Sequence, residues 1–145
     1  APHKAALLNS DQVMFVNTSD RTSLLHNKET LDYLAGEHDV PVGKFKLVVN
    51  RYHADDRIDL AEVPKVMGMP IIAVVPEDLS RAMVASVNVG RPFVLDHMGK
   101  NSDSNVEGTV AGLLDIAAEI FPPMNELIEA RRGKAKGLLS LFQKK

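Results

Sequence analysis

A parallel α/β fold is what this sequence predicts, and three observations predict it. Three short apolar runs, at residues 12–17, 45–49 and 70–75, show little of the alternation that marks a strand with one wet face, which suits strands buried on both faces of a parallel sheet. Helix-patterned segments separate the runs, giving a β-α-β-α-β-α order with right-handed crossovers. The second and third runs end abruptly in polar residues, Asn50-Arg51 and Pro76-Glu77-Asp78. In open parallel sheets ligands sit beyond the carboxyl ends of the strands, so those two ends are where function is expected. The predicted architecture is a partial three-layer one: three mostly parallel strands with flanking helices.

Composition narrows the field. With 145 residues the chain can bury one real core, and 45% hydrophobic with 25% charged residues is ordinary for a globular protein. A net charge of −2 supplies no basic field for nucleic acid, which is disfavoured as a partner. No cysteine is present, which excludes disulfides, thiolate catalysis and Cys-based zinc sites and fits a reducing cytoplasm. No apolar run approaches the roughly 20 residues of a spanning helix.

The elements follow in order. Residues 5–8 end a helix or lead into the first strand, which covers 12–17 and closes on Thr18, Ser19 and Asp20. Asp20 or Thr22 is placed to cap a helix from Ser23 to about Leu34, with Leu24, Leu25, Leu31 and Leu34 as its apolar stripe. Residues 39–43 form a turn, because Pro41 is incompatible with a helix interior. After the second strand come the loop 51–58, a short helix near 60–67 that tolerates Pro64 only in its first turn, and Gly68 as its stop. The third strand leads to a helix expected to open at Glu77-Asp78 and to cover 79–87. Phe93-Val94-Leu95 is expected to be extended. The clearest helix is 106–121, where Val106, Val110, Leu113, Leu114, Ala117 and Ile120 recur at helical spacing before Pro122-Pro123. All three strands read as buried on both faces, so the sheet calls for neighbours that this stretch does not supply.

Most familiar chemistry finds no anchor. The five histidines show no metal-ligand spacing, no Gly-x-Ser-x-Gly elbow is present, and Gly99-Lys100 fails the phosphate-loop pattern at Val94 and Asn101. Asp55, Asp56 and Asp59 read as a solvated loop rather than a magnesium site. No catalytic or metal-binding residue is assigned. Asn50 is different: its amide offers both an acceptor and a donor, which match the edge of adenine, and the backbone after Pro76 would line the other side of a base. Asn is equally a common turn former, and both readings stand on the residues alone.

Four ordered blocks then resemble the MinD/ParA family of P-loop ATPases with deviant Walker A loops: DQVMFVNTSDRTSLLHNKETLDYL, LVVNRYHADD, VMGMPIIAVVPED and NVGRPFVLD. They match the family's strand with Thr-x-Asp/Glu, its strand ending in Asn-Arg, its Leu-Gly-x-Pro strand ending in Pro-Glu-Asp, and its Asn-x-Gly-x-Pro stretch. The resemblance extends to MinD proper and to the pilus-associated TadZ/CpaE members, and Arg91 stands where an acidic residue is often found. It implies the C-terminal half of a P-loop NTPase fold. It also implies an adenine pocket at Asn50, Arg51, Pro76, Glu77 and Asp78, with ATP as cofactor. The Walker A lysines and the magnesium-holding strand of such a protein lie upstream, so this stretch alone is not expected to hydrolyse ATP. The same resemblance implies a homodimer and protein partners of a polar or division machine.

Two segments are expected: 1–123 as part of the ATPase-like domain, and 124–145 as a basic amphipathic tail. At about 100° per residue Leu138, Leu139, Leu141 and Phe142 share one arc, with Lys136, Ser140, Gln143 and Lys144 opposite. With Lys144 and Lys145 as basic contacts, such a helix suits the interface of the inner membrane, as MinD-like tails do, and implies a peripheral, cytoplasmic location. Packing of the stripe on protein is the alternative. At the level of function, the alternative to an ATPase that positions a cell-surface or division apparatus is a non-catalytic localisation scaffold of the same fold.

Overall fold

The computed structural model describes residues 2–56, 58–98, 102–126 and 128–129, and among these every strand falls within the first 77 residues. The order there is α1 (Pro2–Asn9), β1 (Val13–Thr18), α2 (Arg21–Gly36), a 3-10 turn (Val42–Lys44), β2 (Phe45–Tyr52), a second 3-10 turn (Ala54–Asp56), α3 (Val63–Met67) and β3 (Ile71–Pro76). The three strands form one parallel sheet in the order β1-β2-β3, as the alternation of apolar runs and helices predicts. Residues 1–77 make one compact unit and 78–145 a second.

In the first unit β2 is the strand the core is built on. Leu47, Val49 and Met67 are fully buried beside Leu31, and Phe15 meets Phe45 edge to face with ring centroids 5.3 Å apart. The helices start and stop where local chemistry dictates. Asp20 caps α2 by accepting the Ser23 N–H at 2.7 Å, and Leu24 and Leu31, two turns apart, turn inward. Pro64 falls in the first turn of α3, where its missing N–H leaves no bond unmade, and Gly68 ends that helix at φ 72°.

Three expectations are corrected. The strands are not all buried on both faces: Val16 on β1 is 53% exposed, because only the face of β1 carrying Phe15 and Asn17 is covered. The helix after β3 begins at Ala82 rather than near Glu77, because residues 77–81 turn first, with Arg81 left-handed at φ 58°. Phe93-Val94-Leu95 is not extended but opens a helix, described next.

The second unit holds α4 (Ala82–Asn88), α5 (Phe93–His97) and α6 (Ser104–Ile120). Pro92 sits at the N-cap of α5 with φ −64° and its carbonyl accepts the Leu95 and Asp96 N–H groups, so the proline starts a helical turn. Phe93 then packs with Val106 and Val110 of α6, whose N-terminus Asp103 caps through the Val106 N–H at 2.9 Å. The tail expectation at Leu138, Leu139, Leu141, Phe142, Lys144 and Lys145 lies outside the described residues.

Candidate functional site

Strand register assembles the site. Thr18 pairs with Asn50, Asn50 with Val75 and Tyr52 with Pro76, so a row of residues crosses the carboxyl end of the sheet. The β2–β3 ladder slips between Asn50 and Tyr52, leaving Arg51 as a bulge at φ 55°. A left-handed conformation costs a non-glycine residue about 1–3 kcal/mol and persists where its surroundings over-determine it. Here the Ser19 hydroxyl oxygen lies 3.0 Å from the Arg51 carbonyl oxygen and closer still to the Asp56 carboxylate, two acceptors that share its single proton. Asp56 in turn accepts the His53 N–H at 3.2 Å. From the other side the Glu77 N–H donates to the Tyr52 carbonyl at 3.0 Å, and Arg51 Nη2 reaches Glu77 Oε1 at 2.9 Å.

These residues surround a cleft of about 320 Å³ lined by Thr18, Ser19, Asp20, Arg51, Asp56 and Glu77. Its charge is one-sided: three carboxylates face one guanidinium that already pairs with Glu77. The Thr18 hydroxyl, and then the Ser23 N–H, hold the Asp20 carboxyl below the ordinary carboxylate value, so it stays ionised. Such a cleft repels phosphate.

The site residues predicted from sequence meet different fates. Arg51 and Glu77 come together in the cleft wall, and Pro76 ends β3 opposite Tyr52. Asn50 is half-buried beside them and its amide has no partner among the described residues, so its donor and acceptor are open to a ligand. That fits the edge of a base. Asp78 is committed elsewhere: its two oxygens accept the Ala82 and Met83 N–H groups, each at 2.9 Å, and seat α4. Sequence reading passed over Ser19 and took Asp56 for part of a solvated loop; the two are 37 positions apart and meet only through the fold. The one local signal was the polar Thr18-Ser19-Asp20 end of the first apolar run. Among the described residues no group of three His, Asp or Glu is placed to hold a metal ion, and no helix is long and apolar enough to cross a membrane.

No protein-family model matches the chain, and no curated protein matches it by sequence. Solved structures do. The MinD cell division protein of Aquifex aeolicus superposes with a TM-score of 0.61 and 19% identity, over 81% of this chain and 46% of that one. A ParA family ATPase from Chlorobium tepidum TLS superposes with a TM-score of 0.58 and 25% identity, over 74% of this chain and 43% of that one. The chain therefore has a MinD/ParA-like, P-loop NTPase-like fold of three parallel strands in one open sheet, and it spans less than half the length of either neighbour.

Proposed function

We propose that this chain is the base-recognising, C-terminal portion of a MinD/ParA-like ATPase. Asn50 is the observation that carries the reading: a half-buried amide with no partner among the described residues, at the carboxyl end of the middle strand of a parallel sheet. Its donor and acceptor would pair with the adenine edge of ATP, with Arg51, Pro76 and Glu77 as the neighbouring wall. The carboxylates of the adjoining cleft would keep the triphosphate away from Asp20 and Asp56, so the phosphates and their magnesium would be held by residues of the parent protein outside this stretch. The fold it shares with a cell division protein and a ParA family ATPase supports a role in positioning a cell-surface or division apparatus. The apolar and basic sequence pattern of residues 136–145 supports peripheral attachment to the inner membrane surface, and a nucleotide-linked homodimer would supply two such tails at once.

The test is the Asn50→Ala variant of the natural full-length protein. Losing two base-edge hydrogen bonds should weaken ATP binding about tenfold, corresponding to about 1.4 kcal/mol. Equal affinity of variant and wild type in a calorimetric titration would remove Asn50 from the site.

A further inference from the structure

Arg51 holds a conformation that L side chains rarely adopt, at the second of two register shifts between β2 and β3. Its ion pair with Glu77 is too exposed to hold it there, since a surface pair contributes less than left-handed strain costs. The better-placed group is Ser19. It is 6% exposed, lies 32 residues earlier in the chain, and donates its hydroxyl to the Arg51 carbonyl at 3.0 Å. That one proton is shared with the Asp56 carboxylate, which also accepts the His53 N–H and so closes the turn that follows β2. One hydroxyl therefore ties three pieces together: the end of β1, the bulge in β2 and the loop beyond it.

We infer that Ser19 is a positioning residue for the nucleotide base: by clasping the Arg51 carbonyl and the Asp56 carboxylate it sets the bulge that fixes Asn50 and the Arg51 guanidinium at the strand end. The inference rests on the reading of these strand ends as a base site. The geometry makes the link direct. Were Arg51 to relax to ordinary strand geometry, the Asn50–Val75 register would run on to the strand end and the residues beyond Asn50 would exchange faces. The Arg51 guanidinium would then leave the Glu77 side, and the Tyr52 carbonyl would leave the Glu77 N–H. Alanine at position 19 keeps the size of the site but removes the side-chain donor that reaches the Arg51 carbonyl.

Two readouts on the full-length protein separate the clasp from the base site. Without nucleotide, amide hydrogen exchange at Glu77 should quicken at least tenfold in Ser19→Ala, while Leu47 and Val49 exchange as in wild type and Ser19→Thr restores protection. In an Arg51→Gly background Ser19→Ala should change Glu77 exchange less than twofold, because glycine takes the left-handed conformation unaided. ATP titration should show about fivefold weaker binding for Ser19→Ala and near wild-type binding for Ser19→Thr. Unchanged Glu77 exchange, or effects that simply add in the Arg51→Gly background, would overturn the clasp. Quickened exchange with unchanged ATP affinity would overturn the positioning role and leave the base site standing. A wild-type protein that binds no ATP would overturn the base reading and the positioning role together, with the exchange data still reporting the clasp.

Discussion

Leu47 and Arg51 sit four positions apart on β2 and answer to opposite demands. Leu47 is fully buried, so Leu47→Ala should destabilise the chain by about 2–5 kcal/mol in denaturant unfolding, through lost transfer energy and the cavity left behind. Arg51→Gly should move stability by less than about 1 kcal/mol, because relief of left-handed strain offsets the extra freedom glycine gives the unfolded chain. A large loss in Arg51→Gly would mean that the guanidinium, not the backbone, holds this end of the sheet. The two residues were also unequally legible. Leu47 and Asn50 announce themselves as the middle and the end of an apolar run. The partners of Arg51 do not, because the contact from Ser19 depends on β1 and β2 lying side by side, which no local pattern encodes.

At the scale of elements, capping decides the starts of α2 and α6. Asp103→Ala should cost about 1 kcal/mol, as loss of an N-cap acceptor usually does, and should lower the thermal midpoint. Asp20 adds a pH dependence whose sign follows from its lowered value. Its ionised form is favoured in the folded protein, so its contribution is complete above the unfolded carboxylate value and fades as pH falls through the lower folded value. Asp20→Asn keeps the cap acceptor and should flatten the acid limb of a stability–pH profile while leaving neutral stability nearly unchanged. An identical acid limb in the variant would assign that limb to other carboxylates. Strands and long helices were legible because their period extends over several residues. The five-residue α5 was not: Phe93-Val94-Leu95 is too short to show a period, and what makes it helical is Pro92 ahead of it and the burial of Phe93 against α6.

For the whole molecule, the tail prediction belongs to the assembled protein. Burying four large apolar side chains at a membrane surface gains roughly 6–12 kcal/mol gross, and ordering about a dozen residues costs a comparable amount. A single copy should therefore bind anionic vesicles weakly, and a dimer much more tightly. In the full-length protein, Leu139→Glu with Phe142→Glu should abolish vesicle co-sedimentation; retained binding would remove the tail as anchor. The parallel sheet itself was legible in the sequence as three apolar runs separated by helices, whereas the exposed Val16 face of β1 was not, because an apolar run carries no record of what covers it. Strand order, finally, has a kinetic consequence. Because β1, β2 and β3 lie side by side in the order of synthesis, each new strand docks on the one made just before it. Among these three strands none waits for a distant partner, so the loop-closure entropy of joining them is met in two modest steps rather than one large one. The sheet can be laid down from the N-terminal side while the helices of the second unit are still being translated.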